Sequence, residues 1–162
     1  MMHIGIQGQK PGLCVSLMMS SPSSNDFETH DSHDLLEAIY KDSLRDVKSY
    51  LASGADVNHA AIVEYEDLMP PLSLACRRGS FEIAKHLFEN GADLSTPGSD
   101  GKTPLHYVCE GDERREEKRG ELFQILKYLI DNGANVDIKD NMGCTPLFTA
   151  CEVDDIDMVR LL

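Results

Sequence analysis

From Asp34 onward the apolar residues fall in short paired runs. Leu35, Leu36, Ala38 and Ile39 mark one face. Leu44, Val47, Tyr50 and Leu51 mark a second, at i, i+3, i+4 intervals. That spacing gathers them on one side of a helix and predicts two short helices in succession. The pattern then recurs. Leu72, Leu74 and Ala75 open a second pair, which Phe81, Ile83, Ala84, Leu87 and Phe88 complete after a break at Gly79. Leu105 and Val108, followed by Phe123, Ile125, Leu126, Leu129 and Ile130, give a third. Leu147, Ala150, Ile156, Val159 and Leu161 trace the beginning of a fourth.

The punctuation between these runs also repeats. Gly54-Ala55-Asp56-Val57-Asn58, Gly91-Ala92-Asp93-Leu94-Ser95 and Gly133-Ala134-Asn135-Val136-Asp137 each follow the second helix of a pair. Glycine enters the left-handed cap conformation cheaply, so each phrase predicts a helix end. Pro71-Leu72, Thr103-Pro104-Leu105 and Thr145-Pro146-Leu147 each precede a first helix, with proline where its missing N–H costs nothing. Two signals in fixed order mean one supersecondary unit used repeatedly.

With Thr103-Pro104-Leu105-His106, the Gly-Ala-Asp/Asn caps and Asp140-Asn141-Met142-Gly143-Cys144-Thr145-Pro146-Leu147, the chain resembles the ankyrin repeat from about Asp34 to Leu162. The resemblance implies an all-α ankyrin-repeat solenoid: stacked helix–turn–helix units, each followed by a hairpin-like finger. A single helix pair cannot bury both faces, so neighbouring units must cover them. The expected division is a disordered leader over 1–31 and a repeat domain over 32–162. Its units run about 34–66, 67–99, 100–141 and 142–162. The first unit is degenerate: it lacks Thr-Pro-Leu-His and carries Glu37 and Asp46 at positions that are commonly aliphatic. The last is truncated, with Val159, Leu161 and Leu162 uncovered, so the chain reads as part of a longer protein.

The register exposes two insertions. Leu72 and Leu105 are 33 residues apart, but Leu105 and Leu147 are 42 apart. The surplus falls in the charged run at 111–120, between the helices of the third unit. It reads either as a solvated loop or longer helix ends, or as a contact point particular to this protein. Gly54 and Gly91 are 37 apart, which puts four extra residues in the first finger, within His59–Met69. Ile62, Val63, Tyr65, Leu68 and Met69 stand there among Glu64, Glu66 and Asp67. Apolar residues with a tyrosine and a charged rim are what interfaces use. The alternative is that they pack on their own stack.

Composition narrows the partners. The net charge of −13 and pI near 4.7 repel phosphate backbones and anionic lipid, which disfavours nucleic acid and membrane and favours a basic or amphipathic protein segment. No apolar run approaches the roughly 20 residues that span a bilayer. Cys-x-x-Cys and Asn-x-Ser/Thr are absent, which points to an intracellular, cytoplasmic or nuclear site. Cys76, Cys109 and Cys151 fall at one register position on the first helices and are expected as small core residues. His30 and His33, three apart, supply too few ligands for a closed metal site and read as a polar helix entry.

Nothing in the sequence proposes a catalytic site or cofactor. It has no phosphate-cradling glycine loop, no Gly-x-Ser-x-Gly and no His-Glu-x-x-His. The resemblance implies protein binding through finger tips and the exposed side of the first helices. Those positions here are Tyr65, Glu66, Asp67 and Met69, then Ser99, Asp100 and Lys102, then Asn141, Met142 and Cys144, with Arg77, Arg78, Glu110, Glu152 and Val153 on the helices. It also implies that the His106 ring ties a finger to its neighbour by hydrogen bonds. Asp56-Val57-Asn58 is similar to the finger motif that asparaginyl hydroxylases modify, with Asn58 as the acceptor, although Tyr50 stands where a leucine is expected. A larger protein's targeting arm, with the active part beyond Leu162, is the alternative function.

Overall fold

The computed structural model describes residues 34–62, 68–111 and 116–162. The leader, His30, His33 and the finger residues Tyr65, Glu66 and Asp67 lie outside the described residues. So do 112–115.

Among the described residues, eight α-helices form four antiparallel pairs. Helix α1 covers 34–40 and α2 Leu44–Ser53. The second unit is α3, Pro71–Arg77, with α4, Phe81–Glu89. The third is α5, Pro104–Glu110, with α6, Arg119–Asp131. The fourth is α7, Pro146–Glu152, with α8, Ile156–Leu161. First helices pack in one layer, α3 on α5 and α5 on α7. Second helices pack in another, α2 on α4, α4 on α6 and α6 on α8. The described residues hold no β-strand. Ala61 and Met69 form an isolated antiparallel bridge at the base of the first finger.

The expected start and stop signals operate. Pro71, Pro104 and Pro146 each open a helix. Gly54, Gly91 and Gly133 follow the second helices with φ of 101°, 93° and 89°, a region that a Cβ makes costly. The core runs continuously between the layers through Leu36, Ile39, Val47, Leu72, Ile83, Leu87, Leu105, Ile125, Leu126 and Leu129, all buried. Burying each such side chain contributes roughly 1.5–3 kcal/mol. Glu37 and Asp46 are exposed.

The third-unit insertion, so far as it is described, lengthens the second helix. Helix α6 has 13 residues against 9 in α4, and a 3-10 turn, Glu116–Lys118, leads into it. The added turn lies over the second unit. A Cβ on Gly79 would stand 3.1 Å from Lys118 Cβ and 3.4 Å from Leu122 Cγ. Lys118 Nζ lies 2.9 Å from Glu121 and 3.6 Å from Asp42 in the first unit. Arg119 Nε lies 3.9 Å from Asp155 in the fourth. These pairs are partly exposed and individually weak, but they bring the insertion against every other unit.

One expectation fails in the core. Cys76 and Cys109 are buried, and burial pushes the Cys109 thiol up to about 12, helped by Asp155, while Cys76 is also raised. Cys151, at the same register position, is exposed. The two buried cysteines have a first helix on either side of their own. Among the described residues, α7 has such a neighbour only in α5.

Candidate protein-binding face

Short hydrogen bonds lock the fingers to one another. Ser99 N–H donates to the Leu68 carbonyl at 3.0 Å, joining the first finger to the second. Asn141 joins the second to the third: its N–H donates to the Asp100 carbonyl at 3.1 Å and its side-chain amide to the Ser99 carbonyl at 3.1 Å. Asp140 Oδ1 accepts from Met142 N–H at 2.9 Å and Cys144 N–H at 2.8 Å, which shapes the third tip. Gly101 is required where the second and third fingers meet, since a Cβ there would lie 2.7 Å from the Asn141 backbone nitrogen.

His106 holds the third finger to α5. Thr103 N–H, a donor only, points at Nδ1 at 3.2 Å, so Nδ1 accepts and the proton sits on Nε2. Nε2 then donates to the Cys144 carbonyl at 3.1 Å. The ring is fully buried and spans two units, the role that the resemblance implied. Asn58 is a second strut between units. Its amide donates to the Gly91 carbonyl at 3.1 Å and accepts from Asp93 N–H at 2.9 Å.

The residues proposed for partner contact separate into groups. Asp100, Lys102 and Glu110 come together: Lys102 Nζ is 3.0 Å from Glu110 and 3.5 Å from Asp100, and Tyr107 Oη donates to Asp100 Oδ1 at 2.8 Å. Burial works against the Asp100 carboxylate, but Tyr107, the Lys102 amide and the Lys102 ammonium outweigh it and hold its pKa below the ordinary value. Lys102 is likewise raised by Glu110 and Asp100 despite its partial burial. This half-buried cluster is an internal brace before it is a contact surface. Ser99 and Asn141 are exposed at the junctions. Cys144 is half-buried with its carbonyl taken by His106. Glu152 is exposed, and Val153 is half-buried at the end of α7.

Met69 is a correction. It is only 3% exposed, because its backbone pairs with Ala61 and its side chain joins the core, so it offers a partner nothing. The apolar exposure lies beside it, at Ile62 (60%) and Leu68 (44%), and on the third tip at Met142 (87%). Arg77 and Arg78 are half-buried at the end of α3, and the Arg78 guanidinium lies over the Tyr40 ring with its Cζ 4.1 Å from the centroid. Tyr40 had no place in the sequence-based site. A register shift of 37 residues, which aligns Asp42 with Gly79, would have set it level with Arg77.

Comparison with known proteins agrees with this architecture. A family model of three ankyrin repeats matches residues 35–117, and a single ankyrin repeat model matches 100–141. Among curated proteins, the chain is 34% identical over 98 residues to ankyrin repeat and SOCS box protein 11 of Danio rerio, covering 60% of this chain and 32% of that protein. It is 34% identical over 74 residues to Arf-GAP with coiled-coil, ANK repeat and PH domain-containing protein 2 of Gallus gallus, covering 46% of this chain and 9% of that protein. The matches thus span a third or less of either relative's length. With half the chain matched by the repeat model and the paired helices, capping glycines and His106 tie in place, the chain belongs to the ankyrin-repeat family.

Proposed function

We propose that this chain is a non-catalytic protein-binding module that takes a partner segment along its finger tips and the exposed side of its first helices. The observation that carries the reading is the large apolar exposure of Ile62, Leu68 and Met142 on fingers that are otherwise braced by hydrogen bonds. A rigid scaffold that presents apolar side chains to solvent loses little ordering entropy on binding. With the chain's net charge of −13, an amphipathic segment carrying basic residues suits it best.

The test is to pan an unbiased displayed peptide library against the whole chain and to remeasure the recovered peptides against Leu68→Asp and Met142→Asp. Both sites are exposed, so neither change should disturb folding. Hot-spot anchors are worth about 2 kcal/mol or more, so at least a tenfold loss is expected from one of the two. Full affinity for both variants would place binding elsewhere.

A second reading is favoured by the relatives, whose names include a SOCS box in one and Arf-GAP, coiled-coil and PH modules in the other. In it, the repeats are the targeting arm of a larger protein. Reading the natural transcript downstream of Leu162 decides it: further coding sequence with a distinct module supports the targeting role, and an immediate stop codon removes it.

A further inference from the structure

The chain carries 28 acidic residues against 15 basic ones, so a lysine or arginine has no shortage of carboxylates to pair with. Arg78 nevertheless makes no ion pair or side-chain hydrogen bond among the described residues. Glu37 sits 2.6 Å from Lys41, and Glu110 lies 3.0 Å from Lys102. Arg78 is half-buried, with its Cζ over the Tyr40 ring at 4.1 Å from the centroid and Nε sealed from solvent without an acceptor among the described residues. A buried donor left without an acceptor is costly. No acceptor for the terminal nitrogens stands among the described residues, and they are not among the sealed, unpartnered atoms.

Stacking on an aromatic face fixes the plane of an arginine and leaves its rim free. A planar fork held this way and partly stripped of water is set up for bidentate pairing with a carboxylate, whose two oxygens match two parallel N–H groups. Because Nε is covered, the pair presented is the terminal one, approached end-on. Arg78 also caps the end of α3, one of the first helices on which the partner segment is placed above.

We infer that Arg78, clamped on Tyr40, is a subsite that receives the side-chain carboxylate of an Asp or Glu in the partner segment. The inference rests on the protein-binding reading and adds to it: the partner is amphipathic and mainly complementary to an acidic surface, yet it carries one acidic residue opposite the junction of the first two units.

The experiment needs no partner. The arginine Nε–H resonances of the whole chain are followed by NMR, Arg78 being assigned by its loss in Arg78→Lys. Three probes are titrated at constant ionic strength. N-acetylglutamic acid amide has only a side-chain carboxylate, N-acetylalanine has only a C-terminal one, and N-acetylglutamine amide is neutral. The expected result is a saturable shift of Arg78 with the glutamic acid probe, none with the glutamine probe, and only linear drift at the exposed Arg45 and Arg160. Read on the Tyr40 ring resonances, Arg78→Lys should weaken that response at least threefold, since an ammonium lacks the planar fork. An Arg78 shift that follows the drift of Arg45 and Arg160, or that appears equally with the neutral probe, would overturn the inference. Saturation by N-acetylalanine alone would overturn the side-chain assignment. A peptide library that yields no binders would defeat the protein-binding reading and leave the Arg78 titration standing as its own result.

Discussion

The second and fourth units open with equivalent helices and fare very differently. Leu72 in α3 and its counterpart Leu105 in α5 are each 1% exposed, whereas Leu147 at the same place in α7 is 42% exposed. Cys76 is buried and Cys151 is not. Ser73 and His106 are fully buried, but Phe148, at their register position, is exposed although it is far more apolar than either. Burial in this architecture is therefore assigned by the neighbouring units and not by the residue. Each helix pair covers the next, and the energetics are nearest-neighbour.

The sharpest way to break that comparison is thiol accessibility. In a Cys14→Ser background at neutral pH, a maleimide should modify Cys151 in the folded protein, while Cys76 waits for an opening reaction. If opening costs about 5 kcal/mol, the rates differ by roughly a thousandfold or more. Cys109 should fall between them, because only the fourth unit must detach to expose it. Burial and the nearby Asp140 and Glu152 raise the pKa of the half-buried Cys144, so less of it is thiolate at neutral pH and its labelling should gain more as the pH rises. Equal protection of Cys76 and Cys109 under native conditions would mean that the array opens as one block.

Truncation measures the same contrast in stability. Leu105→Ala removes a side chain enclosed by two units and should cost about 3 kcal/mol, read as a lowered urea midpoint. Leu147→Ala removes one that is nearly half exposed and should cost under about 1 kcal/mol. Similar losses at the two positions would refute the neighbour argument.

At the position two residues after the opening proline, polar chemistry divides the units. The buried His106 ring bonds to the Thr103 N–H and the Cys144 carbonyl and joins α5 to the next finger, but Ser73, its counterpart, has a buried hydroxyl with no partner among the described residues. His106→Ala should therefore cost about 2–3 kcal/mol, since it strands the Thr103 N–H and the Cys144 carbonyl. Ser73→Ala should be neutral or stabilising by up to about 1 kcal/mol, because it removes an orphaned polar group. Thermal denaturation of the two variants checks the sign as well as the size.

Much of this was legible in the residues. Helical spacing and the repeated glycine and proline signals place all eight helices, and the 42-residue spacing from Leu105 to Leu147 locates the insertion. Local signals of that kind act within a few residues of where they are written. What escaped depends on contacts that only the folded arrangement makes. Met69 looked like one more apolar residue of an exposed finger, but its pairing with Ala61 turns it into the core. Cys151 looked like Cys76, because spacing carries no information about what lies across the helix. Asp100, Lys102 and Glu110 read as three separate contacts, and only the fold shows that they satisfy one another. The stacking of Arg78 on Tyr40 is of the same kind, formed by residues of adjacent units that are far apart in sequence.

The smallest expected effects lie in the turn between the two helices of a unit, where Asp42, Gly79 and Asp154 occupy matching places with φ of 56°, 68° and 53°. Only glycine takes that left-handed region without strain, and aspartate tolerates it at a modest cost. Asp42 has a compensation, since it accepts the Ser80 hydroxyl at 2.6 Å and faces Lys118 at 3.6 Å. Asp154 is exposed and has no such side-chain partner among the described residues. Gly79→Ala should cost about 1–2 kcal/mol, from the unfavourable φ together with the close approach of Lys118 Cβ. Asp154→Gly should instead raise the urea midpoint by an amount equivalent to about 0.5 kcal/mol, strain relief slightly exceeding the added freedom of the unfolded chain. Asp42→Gly relieves the same strain but gives up the Ser80 and Lys118 contacts, so it should fall below Asp154→Gly. If the two aspartate variants gained equally, the link from the charged insertion to the first unit would contribute nothing, and the insertion's hold on the first two units would rest on the packing of Lys118 and Leu122 against Gly79.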